Sequence, residues 1–326
     1  MRYALGLVFI LFCLPAAALA QHREPDGEIA LWPNAPAPGS EALAGQLDEI
    51  IVERSEEPDV IRDRYVAQIT QPRLQVFRPD NPNGSALLMI PGGGYQRVVL
   101  DKEGYESAEA LNEHGVTVFI LIYRLPHEGH ENGRDVPLQD AQRAMRLIRS
   151  QAVEYDVDPG RVGVIGFSAG GHVAGSLTTR FDAAVYAPRD AADALSAKPH
   201  ASMLMYAVTR LSGPAVHEGS RDRLVGPEPS ADVLAVYDIA QAARADAPPL
   251  FILHAIDDTS VPLPNAMDVF TAFQPLGVPT ELHVFDTGGH GFGIRYTTGL
   301  PVAVWPDLVA AWMGRHGLMG EEAAAD

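Results

Sequence analysis

The sequence predicts an α/β fold, a mostly parallel central sheet with helices on both faces. Three observations lead there. Apolar runs rich in Val, Ile, Leu and Phe at 86–90, 116–123, 162–167 and 250–255 have the length and composition of buried strands. Segments with helical spacing stand between them, clearest at 137–155, where Leu138, Ala141, Met145 and Ile148 share one face. Of 326 residues 47 % are hydrophobic and 20 % charged, which is enough apolar material for one large core. Strands that alternate with helices call for parallel neighbours joined by crossovers.

The first segment in chain order stands apart from this pattern. Arg2 gives a positive start, 5–14 is an apolar run, and Ala18-Leu19-Ala20 closes it with small outer residues. That is the layout of a secretory signal peptide, with cleavage expected after Ala20 and a periplasmic or secreted product. The run is short for a bilayer crossing, which takes about 20 residues. The single cysteine, Cys13, falls inside it. The mature chain is therefore expected to hold no disulfide, thiol nucleophile or thiolate metal site.

The remainder, 21–326, reads as one domain. Residues 21–65 are rich in Pro, Gly and acidic side chains, with Pro33, Pro36 and Pro38 close together, and are expected to form an irregular arm. A strand follows at 74–78, then the buried run 86–90. Residues 103–114 suit a helix stopped by Gly115. The run 116–123 is a central strand, 137–155 a helix, 162–167 a strand and 169–179 a helix. Strands at 202–208 and 250–255, a helix at 264–273, a strand at 281–285 and a helix at 302–315 complete the alternation. Between 209 and 248 scattered Pro, Gly and charge interrupt it, and this stretch is expected to be a small cap-like insertion over the strand tips.

Gly166-Phe167-Ser168-Ala169-Gly170 falls at a strand-to-helix junction. A serine on such a sharp turn exposes its Oγ, and small flanking residues let strand and helix approach without clashing. Ser168 is the candidate nucleophile, and the next backbone N–H, from Ala169, would face a substrate oxygen. Pro91-Gly92-Gly93-Gly94-Tyr95 follows the strand 86–90. Rigid backbone donors suit a developing oxyanion, and successive glycines let the main chain come close. Gly93 and Gly94 are the expected donors beside Ala169, with proline where such loops often have histidine. A phosphate loop would need Gly-Lys-Ser/Thr to follow, which is absent.

Hydrolases built on such an elbow order their triad serine, acid, histidine. The strand 250–255 runs into Ile256-Asp257-Asp258-Thr259-Ser260-Val261-Pro262, so either aspartate could orient the base. Downstream stand His283, inside a strand, His316, at a helix end, and His290. His290 lies in the glycine loop Gly288-Gly289-His290-Gly291-Phe292-Gly293 after the last strand and is the expected base. His127-Glu128-Gly129-His130-Glu131 looks metal-like but lacks the His-Glu-x-x-His spacing of one helical face, so it reads as a solvated loop. No metal or cofactor is expected. Tyr95, Gln96 and Arg124 are the candidate substrate contacts.

These features together resemble the α/β-hydrolase superfamily, in particular a carbohydrate-esterase-like branch that includes acetyl xylan esterases. The resemblance rests on Pro91-Gly92-Gly93-Gly94-Tyr95, Tyr123-Arg124-Leu125, the helix Leu138-Gln139-Asp140-Ala141-Gln142-Arg143-Ala144, Gly166-Phe167-Ser168-Ala169-Gly170-Gly171-His172 and Gly288-Gly289-His290-Gly291. Leu31-Trp32-Pro33-Asn34-Ala35-Pro36 adds to it. It implies an α/β-hydrolase fold and a serine esterase that cleaves short acyl esters, acetyl above all, on saccharides. It also implies Asp258 as the triad acid, because such enzymes carry an Asp-x-x-Val-Pro run that corresponds to Asp258–Pro262.

The formal net charge of −18 repels nucleic acid and anionic lipid and suits a neutral or cationic substrate. The expected partner is a small-molecule or oligosaccharide ester, with no membrane association after cleavage. A prolyl-oligopeptidase-like peptidase would share this domain but needs a large additional one. A lipase would want a broad apolar cap where the insertion is polar, and a non-catalytic binding protein would have no use for a complete triad.

Overall fold

The protein is described here by a computed structural model, which covers residues 23–43 and 45–320. The expected signal segment 1–20 lies outside the described residues. The strands are β1 (Gly27–Ala30), β2 (Ile50–Glu53), β3 (Arg64–Ala67), β4 (Arg73–Phe77), β5 (Ala86–Ile90), β6 (Val98–Val99), β7 (Thr117–Ile122), β8 (Val162–Phe167), β9 (Ser202–Met205), β10 (Leu250–Ala255) and β11 (Thr280–Phe285). The α-helices are α1 (Glu106–Asn112), α2 (Val136–Ser150), α3 (Ser168–Arg180), α4 (Glu218–Leu224), α5 (Ala231–Tyr237), α6 (Pro264–Phe273) and α7 (Trp305–Arg315).

Eight strands form the main sheet in the order β1-β4-β7-β5-β8-β9-β10-β11. From β7 to β11 every neighbour is parallel, while β4 pairs antiparallel with both β1 and β7. All residues of β5, β7, β8 and β10 are buried. Such strands must be covered on both faces, which is why they read as unbroken apolar runs rather than as alternations. α2 packs on α3, and α1 on α7, as two separate helical groups. Trp305 and Trp312, both on α7, are among the largest side chains sealed in the core.

Two regions depart from the sequence reading. The stretch 21–65 is not simply irregular: β1 extends the main sheet, with Gly27 opposite Val76, and β2, β3 and β6 form a second, antiparallel sheet. β1 pairs with the distant β4, and β2 and β3 pair across the connection 54–63 with only four residues each, so no periodicity announces them. The expected helix 103–114 begins instead as a π-helical turn over Asp101–Tyr105, which then narrows into α1. The stretch 209–248 holds two short helices, α4 and α5, capped by His217 and Ser230. The buried Asn265 side chain anchors its start by accepting from Thr209 and Arg210 N–H and donating to the Ala215 carbonyl, all at 2.9–3.0 Å.

His172, buried on α3, ties three parts together. Its Nε2–H donates to the Tyr237 carbonyl at 2.8 Å, so its Nδ1 must accept, and it does so from the Tyr95 hydroxyl at 2.7 Å. Burial holds its pKa down from 6.5 to about 4, and burial does the same to His130. An unfolded chain thus takes up these protons first as the pH falls. The stability from the neutral rings is complete above pH 6.5 and is lost on the way down to about 4. For His172 this is on the order of 3 kcal/mol. Thermal midpoints should decline over that window, and His172→Gln should decline less steeply; equal slopes in the two proteins would show that His172 is not the group responsible.

Candidate active site

The turn from β8 into α3 is made at Ser168, whose φ is +52°, a left-handed conformation rare for any residue but glycine. Its neighbours permit it. A Cβ on Gly166 would lie 2.4 Å from the Gly170 carbonyl oxygen, one on Gly170 would lie 2.1 Å from that of Ile90, and one on Gly171 would lie 2.4 Å from Ala207 Cβ. No side chain fits at any of the three. The glycine pattern in the sequence therefore reflects the closeness of α3 to β8 and β5.

Ser168 Oγ is 2.8 Å from His290 Nε2, and His290 Nδ1 is 2.7 Å from Asp258 Oδ2. A carboxylate can only accept, so Nδ1–H donates to Asp258 and Nε2 is left to accept from the serine hydroxyl. Asp258 is buried and also accepts from Ser260 and Val261 N–H through Oδ1, at 2.9 and 2.8 Å. Asp257 has a different partner: its Oδ1 accepts from Gly289 N–H at 2.7 Å and so secures the loop that carries His290. His283 instead pairs with Glu281 on β11, and His316 lies just beyond α7.

The other wall comes from Pro91-Gly92-Gly93-Gly94-Tyr95. Gly93 and Gly94 border the same cleft as Ser168 and His290, a space of about 390 Å³. Gly92 N–H donates at 2.8 Å to Glu103 Oε2, and a Cβ there would sit 2.8 Å from Ser168 Cβ. Glu103 is buried, and its Oε1 accepts from the Tyr206 hydroxyl at 3.1 Å. Burial and the neighbouring Glu103 push the Tyr206 pKa well above 10, so the phenol stays a donor. That same oxygen accepts from Gly293 N–H at 3.3 Å, and its ring stands edge-on to His290 with centroids 5.3 Å apart. Larger grooves of about 450 and 600 Å³ lie under the N-terminal arm, lined mainly by residues 28–49 and 70–73, away from this pair.

Of the three expected substrate contacts only Gln96 borders the cleft. Tyr95 is 1 % exposed, since a φ of +57° turns its ring inward to His172. Arg124 is fully buried in an ion pair with Asp140 at 2.8 Å, and it donates to the Pro38 carbonyl, Ser40 and Gln139. Both hold the scaffold rather than a ligand. In the metal-like run, Glu128 accepts from Gln68 and Ile69 N–H, and His130 Nδ1 meets Ser40 Oγ at 2.9 Å.

Sequence reasoning missed Glu103, Tyr206 and the residues that the insertion brings in. His217, at the start of α4, borders the cleft with Gly219 and Arg223. Burial lowers its pKa, helped by His290 and Arg223. A signal did exist for Glu103, namely an acid inside a segment otherwise suited to packing, but nothing local pointed it at Gly92.

Known proteins share this arrangement of elements. The chain is 32 % identical over 225 residues to an acetylxylan esterase of Xylanibacter ruminicola, covering 68 % of this chain and 44 % of that protein. It thus spans less than half the length of that relative. A crystal structure of an acetyl ester-xyloside bifunctional hydrolase from Caldicellulosiruptor lactoaceticus superimposes with a TM-score of 0.70 at 33 % identity, over 77 % of this chain and 90 % of that one. A thermophilic esterase of Thermogutta terrifontis, Est2, solved with propionate bound, gives 0.64 at 25 % identity over 78 % and 92 %. Residues 74–273 match the BD-FAE family, and the chain belongs to that family of α/β hydrolases.

Proposed function

We propose that this chain is a serine carboxylic ester hydrolase that removes short acyl groups, above all acetyl, from saccharides. The observation that carries the reading is the relay from Ser168 through His290 to Asp258, at 2.8 and 2.7 Å. The acetylxylan esterase and the acetyl ester-xyloside hydrolase support the acetyl group and the sugar, and the propionate-bound esterase supports a short acyl chain. The pattern of 1–20 supports export.

Ser168 Oγ attacks the ester carbonyl carbon as its proton passes to His290 Nε2. Asp258 stabilises the imidazolium without taking the proton. Gly93, Gly94 and Ala169 N–H receive the negative charge that forms on the carbonyl oxygen. The tetrahedral species collapses, the alcohol leaves with the proton from His290, and an acyl-Ser168 remains. Water, deprotonated by the same imidazole, attacks the acyl carbon; the bond to Ser168 Oγ then breaks, Oγ takes the proton back from His290, and the acid leaves.

Acetate release from acetylated xylo-oligosaccharides should be abolished in Ser168→Ala, a fall of more than about 10⁴-fold. Cleavage of a peptide nitroanilide in place of the acetyl ester would sink the esterase reading in favour of a peptidase. Asp258→Asn should lose about 10⁴-fold in kcat, since the wrong histidine tautomer is then favoured. Asp257→Asn should lose about tenfold at most, as its bond to Gly289 only steadies a loop. Comparable losses in the two would exchange the roles assigned here.

Glu103 acts as a positioning residue for the oxyanion loop. Glu103→Gln can accept from Gly92 or Tyr206 but not from both, so kcat should fall about tenfold while KM changes little. Stability should drop by about 1–3 kcal/mol. A lower melting temperature with unchanged kcat would reduce Glu103 to a purely structural role.

A further inference from the structure

The chain has 42 acidic and 24 basic residues, yet the cleft at Ser168 is bordered by four cations, Arg54, Arg97, Lys102 and Arg223. The one carboxylate in its wall is Glu103, already engaged by Gly92 N–H and the Tyr206 hydroxyl. Arg54 pairs with Asp63 at 2.6 Å. The other three have no carboxylate within 4.0 Å among the described residues. Most cations elsewhere have a close carboxylate, as in Arg124–Asp140, Arg143–Asp190 and Arg244–Asp182, although Arg134, Arg146, Arg149 and Lys198 also have none within 4.0 Å among the described residues.

The three cations without a carboxylate stand on different sides of the nucleophile, Lys102 with its Nζ 5.5 Å from the Tyr296 ring centroid. Arg97 lies against the oxyanion loop, where a Cβ on Gly93 would meet its Cγ at 2.9 Å. Its guanidinium lies over the Tyr65 ring, 5.1 Å from the centroid, and its Nε is buried without a hydrogen-bond partner. Arg223, on α4, donates through Nη1 to the Gly219 carbonyl at 2.8 Å and reaches the Gly94 carbonyl at 3.5 Å. Lys102 stands on the far side, its Nζ 3.0 Å from where a Cβ on Gly291 would be, next to His290 in the chain.

Stabilising a transient oxyanion does not account for this set. Lys102 sits beside the histidine loop, away from the glycine loop that Arg97 and Arg223 border. His217 is a second basic group on that cleft, and its protonation is already disfavoured by burial and by His290. A cleft of one sign needs a counter-charge, and low-dielectric walls focus its field on an incoming anion. Arginine in particular presents a planar fork that matches the oxygens of a carboxylate or sulfate.

We propose that the cleft selects anionic esters: acylated saccharides with a carboxylate or sulfate on the esterified ring or the ring beside it. The bound anion lies among Arg97, Lys102 and Arg223 and supplies their counter-charge. This rests on the esterase reading above. The bulk charge of the chain pointed to a neutral or cationic substrate, whereas the local field at Ser168 has the opposite sign.

The test uses three mono-O-acetylated methyl glycosides acylated at one position: a glucoside, a glucuronoside and a sulfated glucoside. Acetate release is followed at low salt and at about 0.5 M NaCl. At least one charged substrate should exceed the neutral one in kcat/KM by about tenfold or more at low salt, with the excess shrinking at high salt. Whichever arm shows it identifies carboxylate or sulfate as the source of the anion. Arg97→Gln and Arg223→Gln should each bring the charged-to-neutral ratio toward one. A neutral substrate cleaved as fast as both charged ones overturns the proposal and leaves the esterase standing. An excess insensitive to salt and to both substitutions also overturns it. Failure of wild type on all three and on acetylated xylo-oligosaccharides would remove the esterase reading itself.

Discussion

The carboxylate of Glu103 is where the separate parts of the site meet. One oxygen accepts from Gly92, at the start of the glycine loop after β5, and the other from Tyr206, just past β9. Tyr206 in turn accepts from Gly293 in the histidine loop and packs edge-on against His290. Three segments far apart in sequence are thus referred to one buried carboxyl group. Such a group is costly to bury, and its cost is offset only when each partner is in place. The arrangement is therefore close to all-or-none. That property suits a site in which donors must sit within a few tenths of an ångström of where charge will develop.

The π-helical turn at Asp101–Tyr105 explains how an acid reaches that position. Wider turns of this kind break the side-chain rotation of an α-helix and recur at functional sites. Asp101, at its start, is paired with Arg64 at 2.7 Å, which fixes the turn to β3. The second sheet, with β3 beside β6, thereby contributes to the site from outside the main sheet. Strain at Ser168 is held from the other direction. Residues forced to positive φ cost about 1–3 kcal/mol, and the flanking β8 and α3, almost wholly buried, leave the turn no way to relax.

What was legible in the sequence follows from this division. Ser168 could be read because its requirement is local: glycines two residues to either side, between an apolar run and a helix. His290 could be read because few histidines follow β10 and only one lies in a glycine loop. Asp257 and Asp258 could not be separated by local chemistry, since both are used, one for the loop backbone and one for the imidazole. Tyr95 and Arg124 were misread for the same reason that Glu103 was missed. Closeness to a motif in sequence says little about direction, which here depends on a positive φ at Tyr95 and on Asp140 drawing Arg124 inward. The strands β1, β2 and β3 were unreadable because their four-residue lengths carry little periodicity, and β1 also has its partner far along the chain.

Charge gives the sharpest case of local structure overriding composition. A net charge of −18 describes the far field, which governs solubility and repulsion from polyanions. Screening removes that field beyond about 8–10 Å at ordinary ionic strength. A substrate in the cleft is within reach of Arg97, Lys102 and Arg223 but more weakly coupled to carboxylates across the surface. The two fields can therefore have opposite signs and separate roles. The acidic exterior discourages long polyanions from coating the protein, while Arg97, Lys102 and Arg223 place positive charge beside Ser168.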